Sequence, residues 1–329
     1  MTRKEVYRTL RPTFSRVGLI LLAYYGILNA LVSLVIGIDS LRLYLNGMLW
    51  GELSYSPSPE ELEALASNGW GYILACLVGF FVLLIWKKKD YCFRFLWKKE
   101  KTMNARSFFA ILCIFLSGQA IFQTFALVLE WFFDLFGLSV LESLEAASGI
   151  GDTWSMFLYG CIFAPVFEEI FFRGFVLRSL APYGKKFAVF GSAFLFGIFH
   201  GNIVQSPFAF VLGLVLGYVT VEYSMGWAVA LHMINNLILG DLLPRAIRFL
   251  SYRAQVIVTD VIMWGFALAA AVICICKRKQ IRSYLYNARI HPWCIGSFLS
   301  APGVIAITAV MTGNVLLTFL LQILENLLG

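Results

Sequence analysis

Residues 17–38 read VGLILLAYYGILNALVSLVIGI, an apolar run without a single charged side chain. A helix needs about 20 such residues to cross a hydrocarbon layer of roughly 30 Å. Arg3, Lys4, Arg8, Arg11 and Arg16 precede the run, and no small-residue cleavage site follows it. It exceeds a signal-peptide core and is expected to stay as a membrane anchor. Working outward, comparable runs are Gly71–Trp86, Phe108–Phe133, Trp154–Leu177, Phe187–Ile203, Pro207–Val221, Trp227–Leu243 and Val256–Cys276. The count is eight. Gly303–Leu324 is open as a ninth, since Asn314 and Gln322 lie within it and Glu325 follows. The fold class expected is all-α, a polytopic transmembrane helical bundle.

Composition closes off other classes. Of 329 residues, 60% are hydrophobic and 14% charged, too few polar groups to solvate a water-soluble surface. The net charge of +7 does not indicate nucleic acid, because the basic residues sit in short clusters between apolar runs. The seven cysteines (Cys76, Cys92, Cys113, Cys161, Cys274, Cys276 and Cys294) show no paired metal spacing and read as small buried hydrophobes.

Orientation follows from the loops. Residues 87–106 carry Lys87, Lys88, Lys89, Arg94, Lys98, Lys99, Lys101 and Arg106, and residues 277–289 carry Lys277, Arg278, Lys279, Arg282 and Arg289. Loop 39–69 sets Asp39, Glu52, Glu60, Glu61 and Glu63 against the single Arg42, and loop 134–153 has no basic residue. A cytoplasmic N-terminus puts every dense basic cluster inside; Arg245, Arg248 and Arg253 are the exceptions. Loop 39–69, with Pro57, Pro59 and a helix-prone acidic stretch, becomes an external cap. Three parts are expected: N-terminal helices over 1–153, a core over 154–243, and a C-terminal part over 244–329.

An ionisable group at mid-membrane costs about 2.5–3.5 kcal/mol or more, so it needs a partner or a purpose. The fourth run holds Glu168, Glu169 and Arg173 behind Pro165. Glu169 and Arg173 are one helical turn apart and can pair, which leaves Glu168 for other work. Pro165 lacks an amide hydrogen and should kink the helix, opening backbone carbonyls to water or side chains. Two of the three histidines lie in runs: His200 ends the fifth, and His232 shares a helical face with Asn236 in the seventh. Singly, such histidines are ordinarily hydrogen-bonded core residues. Counting about 1.5 Å per residue from the cytoplasmic edges puts Glu168 and Asn236 about 15 Å deep, His232 about 9 Å and His200 about 21 Å. All four can meet near mid-membrane. Gly213 and Gly217 form a small-xxx-small pair suited to close helix packing. His291 lies in a basic, aromatic juxtamembrane segment and is expected at the interface.

The ordered motifs Glu168-Glu169-x-x-x-Arg173, Phe196-x-x-x-His200 and His232-x-x-x-Asn236 resemble those of the CPBP family. This family comprises the type II CAAX prenyl endopeptidases and the bacterial bacteriocin-processing and immunity-type proteins. The run from Phe210 through Gly213, Gly217, Tyr223, Gly226 and Trp227 to His232 is similar as well. The resemblance spans about residues 154–240 and fills every motif position. It implies an intramembrane endopeptidase with Glu168 as general base toward water. Glu169, held by Arg173, would orient the site; His200 would share water activation, and His232 with Asn236 would donate to the oxyanion.

A zinc ion on His200, His232 and either Glu168 or Glu169 would meet the three-ligand rule. The zincin spacing is absent, and a metal-free glutamate mechanism is favoured. The substrate implied is a membrane-associated protein or peptide, whether a prenylated CAAX protein, a peptide precursor or a membrane-protein tail. The bilayer itself is a partner, and the expected location is a prokaryotic cytoplasmic membrane, with the site open to the cytoplasm. Two other classes stand beside this one. A non-catalytic immunity or scaffold protein could keep the fold, and a proton-coupled transporter could bury the same groups, although it should show internal repeats.

Overall fold

The computed structural model describes residues 3–49, 58–148, 151, 153–286, 290 and 292–328. Glu52, Pro57, Arg289 and His291, named above, lie outside the described residues. Everything regular among the described residues is helical.

Helix α1 runs from Arg3 to Leu49, beyond the apolar run at both ends. The expected loop at 39–69 is therefore shorter, because residues 39–49 continue the helix. Asp39 does not stop it; its carboxylate accepts from Asn68 Nδ2 at 2.6 Å and ties α1 to the residues just before Trp70. The acidic stretch does form a helix, α2 (Pro59–Ala66). It opens on a capping box: Ser58 Oγ accepts from the Glu61 amide, and the Glu61 carboxylate accepts from the Ser58 amide. Helix α3 is Trp70–Lys87.

The third run is broken at Ser117 into α4 (Ala105–Leu116) and α5 (Gly118–Asp134). The break is local chemistry. Ser117 Oγ bonds back to Ile114 O at 2.7 Å, and Gly118, lacking Cβ, admits the Leu212 side chain. A short helix α6 (Leu141–Ser148) follows. Helix α7 is a continuous helical run, Trp154–Tyr183, containing two wide π-type segments, Tyr159–Phe163 and Ile170–Leu177.

Helices α8 (Lys185–Phe199) and α9 (Gln205–Glu222) form a tight antiparallel hairpin. The fifth run was expected to reach Ile203; it stops at Phe199. Gly201 takes a positive φ of 56°, and Asn202 Oδ1 accepts from the Val204 and Gln205 amides to start α9. At 15 residues, α8 is about 22 Å long, short of a full span. Gly213 and Gly217 let it approach: a Cβ on Gly213 would meet Ala193 at 3.1 Å, and one on Gly217 would meet Val189 at 3.0 Å.

Helix α10 is Met225–Ile247, with a wide segment over Asn235–Leu242. Helix α11 (Tyr252–Cys276) exposes Ile257, Val261, Trp264, Leu268, Val272 and Ile275, one helical stripe facing outward as a lipid contact would. Cys274 and Cys276 are exposed near its end, so two of the cysteines read as buried are not. Helices α12 (Arg278–Tyr286) and α13 (Pro292–Leu299) lead to α14 (Pro302–Leu328).

Helix α14 decides the open ninth run. Asn314 Nδ2 donates to Tyr25 OH at 2.6 Å, and Gln322 Nε2 donates to Ser139 O at 3.0 Å. Two of the polar residues that left this run undecided are thus satisfied. Ser15 and Tyr25 of α1 meet Gly303 and Asn314 in order, so α14 runs parallel to α1. Eight described helical runs, with α4 and α5 counted together as Ala105–Asp134, are long and apolar enough to cross a membrane; α14 is among them and α8 is not.

The largest buried cluster surrounds α7. Phe14 of α1 touches Tyr183, Phe187 and Phe298 at ring distances of 5.2, 5.3 and 5.8 Å. Phe171, Phe172 and Phe175 fill the adjoining space. This aromatic packing holds α7 at the centre, between α1, α3, α8 and α10.

Candidate active site

Glu169 and Arg173 of α7 are fully buried, with Arg173 Nη1 3.0 Å from Glu169 Oε1. The pairing expected from their spacing is present. Arg173 has two further supports. Its Nη2 donates to Gly213 O at 3.3 Å, and its guanidinium lies 4.2 Å from the centre of the Phe196 ring. The bare backbone at Gly213 therefore also supplies an acceptor for the buried cation.

His232 of α10 joins this pair. Its Nδ1 is 3.0 Å from Glu169 Oε1; a carboxylate accepts, so Nδ1 carries the proton. The other ring nitrogen, Nε2, lies 3.8 Å from Glu168 Oε2, beyond hydrogen-bond length. Glu168 keeps 24% of its side chain accessible, against 0% for Glu169 and 9% for His232. One carboxylate is sealed and shared; its neighbour is reachable and held by no direct hydrogen bond to His232.

His200 caps α8 and donates Nδ1–H to Phe196 O, 2.8 Å away. A carbonyl can only accept, so a neutral His200 presents an unprotonated Nε2. The Phe196 ring stands between the two histidines, 4.9 Å from His200 and 5.9 Å from His232. His200 is thus near the cluster across an aromatic edge rather than in the ion-pair network.

Asn236 lies one turn beyond His232, and its Nδ2 donates to Gly160 O at 2.9 Å. The reason is local to α7. In the wide segment, the Ala164 amide bonds to Tyr159 O, so the next amide in register would bond to Gly160 O. That residue is Pro165, which has no amide hydrogen. The carbonyl opened by proline is met by the Asn236 side chain.

Several neighbours stand outside the sequence motifs. Asn235 Nδ2 donates to Asn236 Oδ1 at 3.1 Å, and Gln119 Nε2 of α5 donates to Asn235 Oδ1 at 2.9 Å. Tyr24, Cys76 and Tyr159 lie within electrostatic reach of Glu168. Tyr24 stacks on Phe171 at 3.9 Å, and Tyr159 on Tyr72 at 4.8 Å. A polar residue in an apolar run could have flagged Gln119; nothing linear joins it to α10.

Glu169 Oε1 is already claimed by Arg173 and His232, and a guanidinium beside a prospective ligand opposes a dication. Among the described residues, no three His, Cys, Asp or Glu side chains gather into a ligand group.

No curated protein and no solved structure matched this chain. Residues 150–238 match the family model described as type II CAAX prenyl endopeptidase Rce1-like, roughly a quarter of the chain and the same helices that carry the acidic and histidine motifs. Over that segment, helices α7 to α10, the chain is similar to the type II CAAX prenyl endopeptidases.

Proposed function

We propose that this protein is an intramembrane endopeptidase that uses Glu168 to activate water against a peptide bond of a membrane-associated substrate. The observation that carries the reading is the contrast between the adjacent carboxylates: Glu169 is sealed in an ion pair, and Glu168 is accessible beside His232. A general base must reach water and accept its proton. Glu168 has both properties, whereas Glu169 is committed to Arg173 and His232.

In this reading His200 shares the proton, because its Nδ1–H is engaged and Nε2 is the free acceptor. Attack of water on the carbonyl carbon creates an oxyanion. Asn236 has a second amide proton beyond the one given to Gly160 O, and His232 in its protonated form can donate through Nε2. Glu169 and Arg173 orient His232 rather than touch substrate. The proton taken from water then passes to the leaving amine, completing hydrolysis. No metal is needed for these steps.

The family match supports a membrane-embedded peptidase with a membrane-associated peptide substrate. Within it, a C-terminal tail carrying a lipid-modified cysteine is the substrate class tested first, with unmodified tails and peptide precursors beside it. With the basic loops in the cytoplasm, the site opens from that side. Catalysis is assigned in this reading to residues 154–243, flanked by helices in 1–153 and 244–329. The test is mass-spectrometric comparison of membrane-protein C-termini in cells expressing wild type or Glu168→Ala. New termini made only by wild type are expected. Identical profiles, with both proteins in the membrane, would return the chain to a non-catalytic scaffold.

A further inference from the structure

The hydrogen bonds at Asn236 continue beyond the motif and beyond the family match. Gln119 Nε2 donates to Asn235 Oδ1 at 2.9 Å, Asn235 Nδ2 to Asn236 Oδ1 at 3.1 Å, and Asn236 Nδ2 to Gly160 O at 2.9 Å. Three side-chain amides thus stand in series between α5 and the opened carbonyl of α7.

The polarity of this series has a physical origin at one end. A backbone carbonyl only accepts, so Asn236 must turn its NH2 group toward Gly160 and its oxygen away. That oxygen requires a donor, which makes Asn235 present its NH2. The oxygen of Asn235 then requires a donor in turn, and Gln119 supplies it. Reversing any one amide would bring two acceptors or two donors face to face. Asn235 is only 7% exposed, so such a mismatch would not be relieved by bulk water.

We propose that Gln119 is a positioning residue for this site: it holds Asn236 in the one orientation that aims a free amide proton at the oxyanion. One proton of Asn236 Nδ2 is held by Gly160 O, which sets the bearing of the other. Gln119 reaches the series because the third run breaks at Ser117 and α5 packs on α9 through Gly118 and Leu212. The inference rests on the endopeptidase reading, and its test separates the two.

Purified, membrane-reconstituted wild type, Gln119→Met, Gln119→Glu and Asn236→Ala are compared on the peptide whose cleavage distinguishes wild type from Glu168→Ala. Gln119→Met keeps length and removes the donor. Gln119→Glu puts an acceptor where a donor is required, driving Asn235 and then Asn236 to reverse against Gly160 O. Expected is a fall in kcat of about tenfold for Gln119→Met and a larger one for Gln119→Glu, both within the ~10²–10³-fold set by losing an oxyanion donor. KM should change by less than about twofold, because the interaction is made in the transition state. Melting of Gln119→Met should stay near wild type.

Wild-type kcat in both Gln119 variants, with Asn236→Ala impaired, overturns the positioning role and leaves the peptidase reading intact. Loss of kcat only in step with lost thermal stability and raised KM makes Gln119 a packing residue, and overturns it too. If no peptide distinguishes wild type from Glu168→Ala, the endopeptidase reading fails and this inference fails with it.

Discussion

On one side of α7, Glu169 and Arg173 are shut away completely and meet α9 and α10. On the adjoining side, Glu168 is partly accessible and approached by His232 only at 3.8 Å. Identical side chains in consecutive positions thus occupy unlike surroundings. The sealed side is assembled for support: an ion pair, a cation over an aromatic ring and a carbonyl acceptor all converge on Arg173. The open side has less to hold it and more freedom to react. In the proposed mechanism, chemistry that needs water belongs on the second, and the fixed frame that aims it belongs on the first.

Glu168→Gln tests the open side most severely. The amide keeps the volume but cannot accept a proton as a base, and turnover should fall about 10²–10⁴-fold. Thermal stability should be unchanged, because no buried partner is left unpaired. Full activity in this variant would remove the distinction between the two carboxylates.

Glu169→Gln tests the sealed side, and the expected effect is on folding as well as turnover. Arg173 would remain buried without its countercharge, a loss of about 3–5 kcal/mol for breaking a buried pair. Lower expression and a lower Tm should accompany the loss of activity. A stable Glu169→Gln protein with reduced turnover alone would instead assign Glu169 to the reaction.

Asn236→Ala lies between the sides. Turnover should slow by roughly 2.7–4 kcal/mol of transition-state stabilisation if the amide serves the oxyanion. Gly160 O would also lose its donor, and leaving one buried polar group unsatisfied costs about 1–3 kcal/mol. A drop in Tm without a drop in kcat would restrict Asn236 to repairing the proline break.

Metal removal has the smallest expected effect. Activity should persist after exhaustive chelation, since Glu169 Oε1 is held by Arg173 and His232. One tightly bound zinc per chain, lost with activity and restored with it, would require His232 and a glutamate to rearrange as ligands.

What the linear chain determined was chiefly what proximity along one helix determines. Length and hydropathy placed the membrane-crossing segments, with α14 open and α8 overextended. Spacing of four residues put Arg173 with Glu169 and Asn236 on the face of His232, and the missing amide of Pro165 announced an open carbonyl. These follow from backbone geometry, which every residue carries with it. Only the tertiary structure decided that the Glu169–Arg173 pair is completely buried and joined by His232, because that depends on where α9 and α10 cross α7. It alone paired Asn314 with Tyr25, put the Phe196 ring between the two histidines, and brought Gln119 of α5 to Asn235 of α10. Each of these contacts joins groups far apart in the chain, and a side chain's partner across a helix interface is set by the packing of both helices.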